Sequence, residues 1–221
     1  MTRRRYPARS ERAHRTRDSR AQPSAPFAAV MSRAVPGDIT SNVHVSAADL
    51  EAGLAEIRLA PAIAGTVELI VRRPSEGERE VLEEAVLDLE EGLVGDRWWA
   101  SACAPGAKVD TSNQLTLMSA RAIALIAPER DRWPLAGDQL YVDLDLRSEN
   151  LPAGTRLAVG SAVIEVTDEP HTGCAKFSAR FGSDAIRFVN SPTGRSLRLR
   201  GLNARVVEQG RVRPGATIRK L

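Results

Sequence analysis

Cys174 is the residue of this chain with the clearest capacity for covalent chemistry. It lies in the segment EPHTGCAKFSARFG, with His171 before it, Lys176 after it and Arg180 nearby. Neighbouring cations, and a helix that begins just after the thiol, would favour the thiolate, which is the nucleophilic and metal-binding form. Free cysteines are also among the most buried residues of proteins and often pack as small hydrophobic side chains. The sequence leaves both hypotheses open.

Several common catalytic and binding motifs do not occur in the sequence. The other cysteine, Cys103, is distant in sequence and no CxxC is found, so neither a disulfide framework nor a cysteine zinc site is predicted. His171 has no second histidine or cysteine at the spacing of a metal site. GxSxG, GxGxxG and GxxxxGK are also missing, which disfavours a serine hydrolase, a Rossmann domain and a P-loop. This cysteine usage predicts a reducing compartment, the cytoplasm.

The positive charge of the chain is concentrated at its N-terminus. Residues 1–30 hold eight arginines against two acidic residues, a charge of +6, so the other residues carry −3 of the net +3. A mildly acidic body does not predict a nucleic-acid partner. No uncharged apolar run approaches the roughly 18 residues of a membrane-spanning helix, so no membrane role is expected. We interpret residues 1–30 as a disordered Arg-rich tail, and translation from Met1 or from Met31 stays open.

The elements that must position Cys174 begin after this tail. We assign residues 31–61 to a helical N-terminal segment, in which AADLEAGLAEIRLAP has helical spacing, and residues 62–221 to one domain. GTVELIVRRP predicts a strand. EREVLEEAVLDLEEGL predicts a helix with Leu82, Val86, Leu89 and Leu93 on one face and solvated carboxylates elsewhere. Residues 95–113 predict a loop with two exposed tryptophans.

The second half of the chain is rich in strand patterns. QLTLMS predicts a strand and ARAIALIAPE a short helix, while GDQLYVDLDLRSE alternates apolar and polar residues as a half-buried strand does. TRLAVGSAVIEVT predicts a hairpin at Gly160 and Ser161, and GLNARVVEQGRVRPGATIRK predicts two more strands. A short helix capped by Ser183 lies between them. The predicted fold class is α+β, mainly β, with a barrel and peripheral helices.

Ordered motifs over residues 62–220 resemble a known family. They are EGLVGDRWW, QLTLMSARAIALI, LAGDQLYVDLDLRSENLPAGTRLAVGSAVIEVT, PHTGCAKF and RFG. In this order they resemble the MOSC domain, the module at the C-terminus of molybdenum cofactor sulfurases that also occurs as small stand-alone bacterial proteins. The resemblance implies a β-barrel core with added helices.

The resemblance also implies roles for individual residues. Cys174 takes the place of the family's thiol, which is proposed to carry sulfur as a persulfide or to bind the molybdenum of a pterin cofactor. The family's GDR turn corresponds to Gly95, Asp96 and Arg97, and its GEN or GDN turn to Gly137 and Asp138. The chain departs from the family with Gln139 in place of asparagine and without an HGG after GDR. We assign His171 and Lys176 to the catalytic neighbourhood of the thiol, and, from charge alone, Lys176 and Arg180 to anion contacts.

Three functions are compatible with these residues. The first is a sulfur carrier or molybdenum-cofactor-binding protein that acts through Cys174, with a cysteine desulfurase as a hypothetical sulfur donor. The second is a molybdenum-cofactor-dependent reductase of N-oxygenated compounds, and the third is a non-catalytic barrel that binds partners. Pyridoxal phosphate belongs to the desulfurase partner domain of some fusions. Because this chain has only Lys108, Lys176 and Lys220, autonomous desulfurase activity is not expected.

Overall fold

A computed structural model describes residues 32–34, 44–106 and 108–221. The strands are β1 (Ser32–Ala34), β2 (Ala64–Arg72), β3 (Glu80–Leu82), β4 (Ala85–Asp88), β5 (Gly92–Leu93), β6 (Leu115–Ser119), β7 (Leu140–Asp143), β8 (Arg156–Val159), β9 (Ala162–Val166), β10 (Leu202–Glu208), β11 (Gly210–Val212) and β12 (Thr217–Lys220). The helices are α1 (Ala47–Ala52), α2 (Leu54–Arg58), α3 (Arg97–Ala102), α4 (Ala120–Ile126), α5 (Ala175–Asn190) and α6 (Pro192–Ser196), with 3₁₀ turns at Thr111–Asn113 and Arg130–Ala136. The tail assigned to residues 1–30 lies outside the described residues.

Seven strands close into a barrel. Their order is β2, β12, β8, β9, β10, β6 and β7, and β7 pairs back onto β2. All neighbours are antiparallel except β6 and β7. β3 and β1 extend the sheet beyond β2, and β11, β4 and β5 form a separate three-stranded sheet. The predicted α+β, mainly β barrel with peripheral helices is confirmed.

The barrel wall separates two hydrophobic cores. Successive strand residues point to opposite faces of a sheet. In β6, Leu117 therefore packs inside the barrel and Met118 packs outside it against the helices. In β7, Leu140 and Val142 face the interior, whereas Tyr141 belongs to the outer core. The outer core attaches α5 to the barrel through Phe177 and the residues around it, and this attachment fixes the helix that follows Cys174.

The helix predicted from EREVLEEAVLDLEEGL is wrong, because this segment forms β3, β4 and β5. Its helical spacing of apolar residues also fits short strands, and Leu82 and Leu93 are buried while Leu89 is 48% exposed. β3 pairs with β2 and β4 with β11, so the strands are stabilised by partners that local periodicity does not contain. The carboxylates are not a solvated helix face: Glu84, for example, pairs with Arg211 and Arg213.

Most of the remaining predicted elements agree with the structure in type and differ at their ends. The N-terminal helical pattern is divided into α1 and α2 at Gly53, where an added Cβ would lie 2.3 Å from the side chain of Leu125. The predicted loop 95–113 contains α3, and the C-terminal segment has three strands where two were predicted. The hairpin at Gly160 and Ser161 joins β8 to β9. The division into three segments stays a prediction.

Candidate functional site

Cys174 lies at the end of the loop that leads from β9 to α5. Its thiol is exposed and free, which contradicts the hypothesis of a buried packing residue. Cys174 is the N-cap residue of α5, with an extended backbone (φ −118°, ψ 177°), and its carbonyl accepts the Ser178 N–H at 3.0 Å. The loop before it is held by Asn203, whose Nδ2 donates to the Glu169 carbonyl at 3.1 Å. The thiol is therefore presented to solvent on an anchored loop.

Gly137, Asp138 and Gln139 form a turn, which we call the GDQ turn. Three successive carbonyls that lead into it each accept a hydrogen bond from a different arginine. Arg180 Nη1 donates to Leu135 O at 2.7 Å. Arg200 Nη2 donates to Ala136 O at 3.0 Å, and Arg73 Nη1 donates to Gly137 O at 3.0 Å. The three donors lie directly after β2, in α5 and in the segment before β10, so their hydrogen bonds join these parts of the chain at one turn. Gly137 has a φ of +90°, a conformation that favours glycine.

Asp96 connects the GDR turn, through Arg73, to the GDQ turn. Its carboxylate accepts Arg73 Nε at 2.9 Å and Nη2 at 2.8 Å, and also the Arg73 backbone N–H at 2.9 Å. The same side chain caps α3 by accepting the Trp98 N–H at 3.0 Å. Because Asp96 is buried and fully engaged, it organises the turn and is not itself open to a ligand. Arg73 thereby brings the GDR and GDQ turns together.

Arg79 is a cation without a counter-charge among the described residues of this site, and its Nη1 donates to the neighbouring Glu78 carbonyl. It is partly buried, forms no ion pair with any of the residues that the structure describes, and its Nε is buried without a hydrogen-bond partner. Burial, followed by repulsion from Arg180 and Arg73, lowers the pKa of Arg79, and Arg97 acts in the same direction. We call Arg73, Arg79, Arg97 and Arg180 the arginine cluster. Mutual repulsion and an unpartnered buried donor are the features of a site that is completed by an anion.

Lys176 connects the thiol-bearing helix to the arginine cluster. Its Nζ lies 2.5 Å from Glu76 Oε1 in the loop that follows β2. Hydrogen bonding and attraction from Lys176, and then attraction from Arg97, lower the pKa of Glu76. Both partners of the ion pair are exposed, so it adds little to stability. It does place the first turn of α5, two residues from Cys174, beside the segment that carries Arg79.

His171 is uncharged at neutral pH, unlike the cation that the sequence suggested. Burial lowers its pKa to about 4, although Asp138 acts in the opposite direction. Its Nδ1 lies 3.5 Å from Asp138 Oδ1, and neither atom has a hydrogen-bond partner among the described residues. The other oxygen of Asp138 accepts Arg200 Nη1 at 2.6 Å. Asp138 is completely buried, so it orients Arg200 and His171 and is not exposed to a ligand.

A cavity of about 370 Å³ borders the Cys174 loop. Its walls include His171 and Thr172 from the loop, and Arg198, Arg200 and Gly201 from the segment that leads to β10. Arg198 is partly buried, and burial lowers its pKa. Its Nη1 donates to the Leu151 carbonyl at 2.7 Å. The cavity provides space for part of a ligand next to the loop, although Cys174 itself does not line it.

The structure brings together most of the predicted site residues but divides them by environment. Lys176 lies two residues after Cys174 and pairs with Glu76, which Arg97 also attracts, and Arg180 lies on the same helix as Lys176. The carboxylates of Asp96 and Asp138 are instead engaged in buried ion pairs. Gly95 is exposed with a φ of +77° at the GDR turn. Sequence reasoning missed Arg73 and Arg79. The only signal for them was a group of arginines in VRRPSEGER, directly after a predicted strand.

The described part of the chain contains no group of three or more His, Cys, Asp or Glu residues arranged to hold a metal ion. Within the same ranges, no helix combines the length and apolarity needed to cross a bilayer.

Comparisons with known proteins agree with the barrel architecture. The profile of the MOSC domain matches residues 110–219. The YuaD protein of Bacillus subtilis is similar in structure, with a TM-score of 0.53 and 20% identity over 71% of this chain and 94% of that chain. YiiM of Escherichia coli has a lower TM-score of 0.46, with 23% identity over 71% of this chain and 69% of that chain. No curated protein sequence matches the chain.

Proposed function

This chain belongs to the MOSC domain family, a family associated with the molybdenum cofactor, and from this premise we propose that it binds a phosphorylated pterin form of that cofactor. In this proposal the Cys174 thiolate is the protein ligand of the metal, and the arginine cluster holds the anionic part of the pterin. A soft thiolate is a suitable donor for a metal of this kind.

The observation that carries the proposal is the environment of Arg79. A partly buried guanidinium surrounded by Arg73, Arg97 and Arg180 is unfavourable unless an anion compensates it. A phosphate group provides several acceptor oxygens, which match the geometry of guanidinium donors. The unpartnered Nε of Arg79 is one donor that a phosphate would satisfy. The residues present therefore fit a phosphorylated ligand.

In this proposal each residue has a role that follows from its position. Cys174 supplies the thiolate from the exposed end of the loop, and Arg79, Arg97 and Arg180 supply positive charge. The buried pairs Asp96–Arg73 and Asp138–Arg200 keep the two turns in place. His171, neutral at pH 7, lines the neighbouring cavity and can hold or release a proton there. When bound, the cofactor would supply the oxidation and reduction chemistry of molybdenum.

The test is the ligand content of the full-length protein, purified without oxygen from a host that synthesises the cofactor. We expect native mass spectrometry and elemental analysis to find molybdenum, pterin and phosphorus in the wild-type protein. Cys174→Ser should lose the metal, and Arg79→Met should lose most of the whole ligand. Cys103→Ser is the matched control and should retain both. A wild-type protein with no molybdenum or pterin would refute the proposal.

A second function is favoured by the exposure of Cys174. An accessible thiol on an anchored loop can also carry sulfur as a persulfide, received from a donor such as a cysteine desulfurase. The same native mass measurement separates the two functions. An excess of one sulfur atom that reductant removes, and that Cys174→Ala lacks, would establish the carrier. A reductase of N-oxygenated compounds would require the pterin and an electron donor. An unmodified mass would favour a binding module.

A further inference from the structure

Helix α5 folds back on itself between Cys174 and Asn190. A straight helix of 16 residues is about 24 Å long, so the side chain of its last residue could not reach the chain just before its first residue. Nevertheless the Asn190 side chain contacts the backbone of Gly173. The reason is Gly182, which has non-helical angles (φ 90°, ψ 169°) and divides α5 into two halves.

The fold-back depends on Gly182 for two independent reasons. Its positive φ is disfavoured for any residue with a Cβ. A Cβ at this position would also lie 2.6 Å from Nδ1 of His44, in the segment that leads into α1. The two halves therefore meet because the chain has a glycine at this point, where the backbone packs against the His44 ring.

Asn190 holds both polar groups of Gly173. Its Oδ1 accepts the Gly173 N–H at 3.0 Å, and its Nδ2 donates to the Gly173 carbonyl at 3.2 Å. Contacts around Gly173 are already tight, since a Cβ added there would lie 3.0 Å from Cγ2 of Val189. The peptide groups on either side of Gly173 are thus fixed, and the next residue along the chain is Cys174.

We propose that Asn190 is a positioning residue: by fixing Gly173 it holds Cys174 at the start of α5, where the Lys176–Glu76 pair joins the helix to the loop that carries Arg79, and so directs the thiol toward the arginine cluster. The proposal deepens the function proposed above and rests on it for its biological meaning. Without the Asn190 carboxamide, the loop would sample other positions, and only a fraction of molecules would present the thiol and the cluster together. The apparent affinity for a ligand that needs both falls in proportion to that fraction.

A pair of alkylating reagents tests the position of the thiol without any cofactor. Iodoacetate is an anion and iodoacetamide is neutral, and each forms a C–S bond with the thiolate as iodide leaves. The ratio of the two rates at Cys174, measured on tryptic peptides by mass spectrometry, reports the positive charge around the thiol. Cys103 in the same molecule is the internal reference. We expect a ratio about threefold higher at Cys174 than at Cys103 in the wild-type protein.

The variant is Asn190→Ala, and the matched control is Asn150→Ala. Asn150 is also an asparagine whose side chain binds backbone carbonyls, those of Ala62 and Asp145. Asn190→Ala should reduce the Cys174 ratio to the value at Cys103 and raise hydrogen exchange in the peptide containing Gly173 about tenfold. Asn150→Ala should change neither quantity. Asn190→Ser replaces the alanine variant if that variant does not fold.

Two results would overturn the inference. One is a folded Asn190 variant, measured well below its Tm, that keeps the wild-type reagent ratio and hydrogen exchange. The other is a wild-type protein in which Cys174 and Cys103 show the same ratio. Absence of molybdenum from the wild-type protein would instead refute the proposed function, and both reagent measurements would remain decisive for Asn190.

Discussion

The two cysteines of the chain are both exposed, but their surroundings differ. Cys174 follows a peptide held by Asn190 and lies two residues from Lys176, which pairs across to the loop carrying Arg79. Cys103 ends the six-residue helix α3, where its N–H donates to the Trp99 carbonyl at 2.9 Å, and the three residues after it are exposed.

The difference shows that exposure alone does not make a thiol site. Near Cys174, hydrogen bonds and ion pairs connect segments far apart in sequence, and the cations there lack sufficient counter-charge. The helix that ends at Cys103 begins at the buried Asp96–Arg73 pair, but the side-chain bonds between that pair and Cys103 are local or exposed, such as Trp98 Nε1 to Asn113 Oδ1 at 2.9 Å. Of the two cysteines, Cys174 is the one that follows a peptide held by a distant side chain, that of Asn190.

The largest expected effect comes from replacing each cysteine by serine. Cys174→Ser should abolish metal or sulfur loading, because a hydroxyl is neither a soft ligand nor a carrier of a persulfide. Cys103→Ser should leave loading unchanged. Elemental analysis of both purified variants is the measurement. Equal loading in the two would remove the basis of the comparison.

The next effect concerns two capping aspartates: Asp96, which caps the start of α3 and pairs with Arg73, and Asp110, which caps the 3₁₀ turn after Cys103. Asp96→Ala should lower the free energy of unfolding by about 3–5 kcal/mol, because it leaves the Arg73 guanidinium without its buried partner. Asp110 caps the exposed 3₁₀ turn after Cys103 through the Ser112 N–H, and Asp110→Ala should have a much smaller effect. Urea unfolding followed by circular dichroism measures both. Similar losses would show that the buried Asp96–Arg73 pair stabilises the fold no more than a local cap does.

The third effect is a pH dependence confined to the Cys174 side. The pKa of His171 is lowered to about 4 by burial, below its ordinary value of 6.5, so folding favours the neutral ring. This contribution to the free energy of unfolding is complete above pH 6.5 and is lost as pH falls toward 4, by up to about 3 kcal/mol. Asp138 offsets part of this loss, while Arg200 and Arg73 add to it. His171→Asn should flatten the urea-unfolding profile between these pH values, and a profile unchanged from wild type would contradict the assignment.

The smallest expected effect tests whether the positive charge on the Cys174 side binds an anion. Arg79→Met should weaken phosphate-bearing ligands about tenfold to hundredfold, the value of a charge-assisted hydrogen bond, while the ligand-free protein keeps or gains stability as repulsion is relieved. Arg219→Met, at an exposed position of β12, should leave both unchanged. Isothermal titration with pyrophosphate and thermal unfolding test the two halves of the prediction. A loss of stability without a loss of affinity would make Arg79 a structural residue.

Local patterns predicted much of the fold but not all of it. The hairpin at Gly160 and Ser161 is correct because the turn and its two strands lie in one short stretch. Residues 78–93 were predicted as a helix because their apolar spacing is ambiguous, and the partners of β3 and β4 lie in β2 and in the distant β11. Strand pairing decided the outcome where the local pattern did not.

The sequence by itself determined the family, the barrel class and the segment that presents Cys174. Tertiary structure alone decided that the Asp96 and Asp138 carboxylates are buried in ion pairs, that Arg79 is crowded by other arginines, and that Asn190 returns to Gly173. The two ion pairs and the Asn190 contact join residues separated by 17 to 62 positions in the chain, and Arg180 lies 101 positions from Arg79. Periodicity over a few turns of chain contains no information on such contacts, because they form only when the closed barrel brings its connecting segments together.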